Sequence, residues 1–221
     1  RDTLADPIRD AFLSAVSQAR NSFGWEILEY STRGWIIANI PLNISNRFEQ
    51  YVYNPLMNAW FRFTGLNGRA WVQSGNYLYF GGTGETYVWD NGQLDDDGGQ
   101  VTADIAFAWW NYGTATIKRF SLMRPHFFSD GEVAPIAEMK VEFDESEATS
   151  VGEPVEAGTG TAWDDGDWDT FDWQGGLVAV REWLTAEGEG TVASPRVKIS
   201  TLGANLSLTA VDVAFIDGGI L

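Results

Sequence analysis

From Trp25 onward the chain is written in short segments whose apolar and polar residues alternate at a period of two, each closed by a turn of Gly, Asn, Asp or Pro. That period sends successive side chains to opposite faces, which suits a strand with one face in a core and does not suit a helix. Eleven Trp, 13 Phe and 7 Tyr supply the broad side chains that pleated, half-buried surfaces favour, and 24 Gly supply the turns. The pattern predicts an all-β protein.

One segment departs from it. Asp6-Pro7 reads as an N-cap followed by Pro at the first helical position, and Ile8, Phe12 and Val16 form a stripe at helical spacing. Acids at Asp2, Asp6 and Asp10 and a base at Arg20 suit the helix dipole, so one short helix is expected over 7–20. Strands then follow at 25–30, 35–40, 49–53 and 59–63, and again at 70–73, 77–80 and 86–89. Trp35 and Trp71 lie 36 residues apart, and Tyr51-Val52-Tyr53-Asn54 precedes Tyr87-Val88-Trp89-Asp90 by the same 36. A recurring set of short antiparallel strands with aromatic landmarks is the signal that propeller blades leave, although two copies cannot close a propeller.

The repeat stops at Asp95-Asp96-Asp97-Gly98-Gly99, a polar break that divides the chain into two expected domains. Residues 1–93 hold the helix and propeller-like β-repeats, and 94–221 form a β-sandwich-like domain with longer strands. Those strands are expected at 105–110, 118–123, 139–143, 177–184, 196–202 and 206–216. In the last, the apolar phase moves from Leu206, Leu208 and Ala210 to Val211, Val213 and Phe215, which predicts a β-bulge near Ala210. Residues 146–162, rich in Gly, Glu and small side chains, read as an exposed loop.

Acids outnumber Lys and Arg 31 to 14, giving a formal charge of −17. Counterion release needs cations facing phosphates, so such a surface repels nucleic acid. Between Asp130 and Asp172 there are fourteen acids and one base, Lys140, most simply a soluble charged surface. No run of about 18 apolar residues offers a membrane span, and residues 1–3 do not resemble a signal peptide. A first residue other than Met suggests a processed product or excised fragment. With no Cys, disulfides, thiolate nucleophiles and Cys-ligated zinc are all excluded.

The search for chemistry returns little. His126 is the one histidine, follows Arg124-Pro125 at an expected strand end, and has no second His or Cys with which to hold a metal. No Gly-x-Ser-x-Gly elbow offers it a nucleophile, and Gly81-Gly82-Thr83-Gly84 reads as a hairpin turn rather than a phosphate loop. Asp165, Asp167 and Asp169 open like a calcium loop, but its sixth position is Thr170 rather than Gly and its twelfth Gly176 rather than Glu. Trp163, Trp168 and Trp173, each beside an Asp, could stack on sugars while a carboxylate pair cleaves them; the simpler reading packs the rings on a sheet edge with the carboxylates in water. The sequons Asn43-Ile44-Ser45 and Asn205-Leu206-Ser207 are short enough to arise by chance. The expectation is no catalytic residue, no cofactor and no metal, hence no enzyme.

A resemblance adds to this reading. Gly34-Trp35-Ile36-Ile37-Ala38-Asn39-Ile40-Pro41, Gln50-Tyr51-Val52-Tyr53-Asn54 and Ala59-Trp60-Phe61-Arg62-Phe63-Thr64-Gly65 are similar to the tail nozzle and packaged-DNA stabilisation family of short-tailed bacteriophages. So are Leu78-Tyr79-Phe80-Gly81, Thr86-Tyr87-Val88-Trp89-Asp90-Asn91-Gly92, Lys118-Arg119-Phe120 with Arg124-Pro125, the Trp-Asp pairs and the terminal Gly218-Gly219-Ile220-Leu221. The resemblance spans nearly the whole chain and implies a C-terminal fragment or short relative of longer proteins. It implies a virion protein in a ring-shaped homo-oligomer, usually a hexamer, below the portal and adaptor, through which DNA passes without specific binding. The rival from another class is a carbohydrate-binding or carbohydrate-cleaving host-attachment module, which would expose several Trp rings on one face. A secreted β-propeller lectin would need more copies of the repeat.

Overall fold

The structure, a computed structural model, describes residues 4–42, 47–131, 133, 135–149 and 178–218. The described residues are all-β with one N-terminal helix, strands holding 53% of them. The tryptophan-aspartate segment 163–173, most of the expected loop 146–162 and the sequon at Asn43 lie outside the described residues. The chain divides into two compact units, Arg1–Gly92 and Gln93–Leu221.

In the first unit a 3₁₀ turn, Asp6–Ile8, leads into α1, Arg9–Ala19. Asp6 does not cap the helix as expected: it lies inside the 3₁₀ turn and its carboxylate pairs with Arg9. Ile8, Phe12 and Ala15 pack with Trp25 and Trp60 against Ala38, Ile40 and Tyr51, so of the expected stripe Ile8 and Phe12 face this cluster, with Ala15 there in place of Val16. Four strands, β1 (Glu26–Tyr30), β2 (Trp35–Pro41), β3 (Phe48–Asn54) and β4 (Ala59–Thr64), form an antiparallel meander in chain order. A second meander joins β5 (Trp71–Ser74), β6 (Tyr77–Gly81) and β7 (Thr86–Trp89). Tyr30, Ile37, Val52, Trp71, Leu78 and Phe80 share one buried cluster between the sheets.

The 36-residue spacing is not a structural repeat. The strand of Trp35 pairs directly with that of Tyr53, whereas β6 stands between the strands of Trp71 and Trp89. The same shift carries β4 onto residues 95–100, where the chain makes a tight turn closed by an Asp96–Gly99 bridge. Aromatic strand ends of similar composition produced the match.

Among its described residues the second unit has two sheets around one core. The first orders β10 (Ile136–Val141), β13 (Ala193–Thr201) and β8 (Val101–Ala106). In the second, β9 (Lys118–Ser129) is central: β14 (Leu206–Asp217) runs along one side of it, and β11 (Val178–Arg181) and β12 (Leu184–Gly190) divide the other. Phe120, Met123 and Phe127 of β9 meet Ala137, Met139, Val197 and Ile199 of the facing sheet. Alternate β9 residues must then face outward, away from the core.

β9 does not end before His126, as expected; it continues to Ser129 through Pro125. A proline cannot donate to a ladder, and opposite it the neighbouring strand is interrupted at Glu182-Trp183, between β11 and β12. The bulge expected near Ala210 is present as a register shift between Leu208 and Ala210.

Candidate interaction site

Histidine 126 sits on the outward face of the β9 sheet in a small charged network. The β9–β14 register sets Arg124 directly opposite Asp212 and His126 opposite Ala210. Directly opposed residues of an antiparallel pair point to one face, so the ladder itself brings these groups together. Arg124 donates to Asp212 Oδ2 from Nε at 2.9 Å and Nη2 at 2.6 Å, and His126 Nε2 lies 2.8 Å from the same oxygen. The His126 hydrogen bond first, and Arg124 second, hold the Asp212 carboxyl below its ordinary range, so it stays ionised and a poor proton donor.

The Arg124 guanidinium lies 4.7 Å from the ring centroid of Trp183, which is 46% exposed, in cation-π range. Arg181 stands opposite His126 on the β11 side, exposed, with no ion-pair or hydrogen-bond partner among the described residues. Leu122 and Phe128 of β9, and Ile216 of β14, are exposed large apolar side chains of the same sheet. Its one lysine, Lys118, is buried and donates to the carbonyls of Thr114 and Thr116 at 2.7 and 2.9 Å. This exposed sheet face combines Arg, Trp, Phe, Leu and Ile with the acids Asp212 and, opposite Arg119, Glu189, a mix of apolar anchors and charge that suits a protein contact.

The His126–Asp212 pair would need a nucleophile to act as a catalytic base and its orienting acid. Among the described residues no hydroxyl is hydrogen-bonded to the imidazole, and Thr209 Oγ1 binds the His126 backbone carbonyl instead, at 3.2 Å. No group of three His, Cys, Asp or Glu among the described residues is placed to hold a metal ion. At the second sequon, Asn205 donates from its backbone and side-chain nitrogens to Asp130, at 2.7 and 2.6 Å, which occupies the amide a glycan would need.

In the first unit the polar groups serve packing. Arg33 makes a two-pronged bond to Asp90 at 2.6 and 2.7 Å, and Tyr30 Oη donates to the same carboxylate at 3.1 Å. Asn39 and Gln50, both buried, bind each other and three loop carbonyls. An open cleft beside β1 is lined by Phe23, Trp25, Glu26 and Arg69, but Glu26 is occupied by the Trp71 backbone N–H at 3.0 Å.

Sequence reasoning singled out His126 and Arg124 without their partner, because Asp212 is 86 and 88 residues away from them and only the strand register joins them. Trp183 could have been noticed as the polar-flanked break in a run read as one strand. No protein-family model matches this sequence, and no curated protein does.

Proposed function

We propose that this chain is a structural component of a short-tailed phage tail, part of a homo-oligomeric ring that extends the DNA channel and helps retain packaged DNA. Its neighbours are further copies of itself and the portal, adaptor or tail proteins of the particle. The observation that carries this reading is the use of the aromatic residues. The landmarks of the resemblance are framework: Trp35, Phe63, Trp71, Phe80, Tyr87 and Trp89 pack on one another between the two meanders, with Trp71 and Phe80 buried. A host-attachment module would display such rings on a common face. Of the eight described tryptophans, only Trp110 and Trp183 are exposed, and they belong to opposite sheets of the second unit.

The charge of −17 supports a channel role, since subunit charges add around one lumen and discourage phosphate adhesion. Cross-linking of purified particles followed by mass spectrometry tests the assignment: cross-links to other copies and to portal or adaptor proteins are expected. Absence of the chain from intact particles overturns it.

A further inference from the structure

We infer that the outward face of the β9 sheet is a docking surface for a second copy of this chain, and that it receives the Phe143 turn of that copy. The inference rests on the ring-assembly reading and names the surfaces that would build it.

The face is large enough. Twelve residues of β9 at about 3.3 Å each, flanked by one strand on either side, give a patch about 40 Å by about 14 Å. Covering it would remove about 550 Å² from each partner, or roughly 1,100 Å² in all, at the lower end of specific interfaces. Trp183 is the aromatic anchor, and Arg181 is a cation near it in a chain that carries 31 acids. For a protein of net charge −17 to meet its own copy, cations must fall against acids, and Arg181 has no ion-pair partner among the described residues.

The complementary part is a turn on the other sheet. Asp144 N donates to Val141 O at 3.0 Å, closing a tight turn at the end of β10. Its central residues are Glu142 at φ 51° and Phe143 at φ 63°, both in the left-handed region that Gly or Asn ordinarily fills. The conformation is over-determined: Glu142 Oε1 accepts from Thr191 N at 2.6 Å and Thr191 Oγ1 at 2.9 Å, and Glu142 N donates to Val192 O at 3.0 Å. The strain holds a large apolar side chain out in water. Phe143 is 62% exposed, leans on Trp109 at 5.0 Å between centroids, and is followed by exposed Asp144 and Glu145. An apolar knob with acids behind it fits an apolar face with cations beside it.

Knob and face lie on opposite sheets of the unit, so the contact joins different surfaces of two copies. Such head-to-tail contacts close into rings when the rotation allows.

The test is sedimentation of the full chain at fixed ionic strength, with folding of every variant checked by circular dichroism. The native chain is expected to self-associate. Phe143→Gly, which tolerates the turn, Trp183→Ala and Arg181→Glu should each weaken association at least about tenfold. Glu145→Arg should also weaken it, and Arg181→Glu with Glu145→Arg together should recover most of the loss, which misfolding could not produce. Association indifferent to all four changes overturns this contact and leaves the assembly reading intact. A chain that stays monomeric overturns the contact, and the particle cross-links then decide the assembly reading separately.

Discussion

Replacing Asn39 by Leu should destabilise the first unit far more than replacing its partner Gln50 by Met, although both are buried amides in adjacent strands. Asn39 Nδ2 donates to Gly24 O at 2.9 Å and Gly68 O at 3.0 Å, and its Oδ1 accepts from Gln50 Nε2 at 2.9 Å. Leu at this position leaves two carbonyls without that donor and removes the acceptor of Gln50. At about 1–3 kcal/mol for each buried group left unsatisfied, and with some relaxation, the loss is about 3–5 kcal/mol. Gln50 also donates to Leu66 O at 2.9 Å, but its own Oε1 is buried without a partner among the described residues. Met removes that orphaned oxygen along with two hydrogen bonds, so its cost should be about 1–2 kcal/mol. Urea unfolding followed by tryptophan fluorescence measures both. Equal losses, or a larger loss for Gln50→Met, would refute the reasoning, because the amide network would then not be organised around Asn39.

The Asp90 carboxyl is held below its ordinary value chiefly by the Arg33 hydrogen bonds, opposed by partial burial and aided by Tyr30. A depressed carboxylate stabilises the fold above its unfolded pKa of about 3.9 and loses that contribution as pH falls through the folded value. Arg33→Gln should therefore move acid unfolding of the first unit to higher pH, read from Trp89, 5.8 Å from Tyr30; an unchanged acid limb counts against a stabilising Arg33–Asp90 pair. In the second unit, Gly188→Ala would bring a Cβ to 2.8 Å from Val141 Cγ1 and 3.3 Å from Met139 O, so a loss of about 1–3 kcal/mol in urea unfolding is expected, and a neutral result would mean the sheets part easily there.

The strands of the first unit were readable from alternation and turn residues because each is short and ends where Gly, Asn or Pro demands it. The 36-residue match was misleading because pairing order is not written in spacing: an extra strand, β6, separates two aromatic segments that sit side by side in the first meander. The bulge at Ala210 was visible because a bulge shifts the apolar phase within a single strand. By contrast, Pro125 read as the end of β9 because its tolerance depends on a gap in another strand, at Glu182-Trp183. Asp6 read as a cap, but an Arg three residues later competes for its carboxylate. The charged network on the outer face needed the β9–β14 register, and the exposed knob at Phe143 needed backbone angles that Glu and Phe do not advertise.

The role proposed for this chain is that of a tail component whose work is assembly around a DNA channel. A cryo-electron reconstruction of the native particle, carried to side-chain detail at the tail, tests it most directly. The account predicts copies of this chain arranged as a closed ring about the tail axis, with Trp35, Trp71 and Trp89 inside each copy and the β9 sheet face covered by a neighbour. Copies placed singly at the particle periphery, with that face open to solvent, would contradict it.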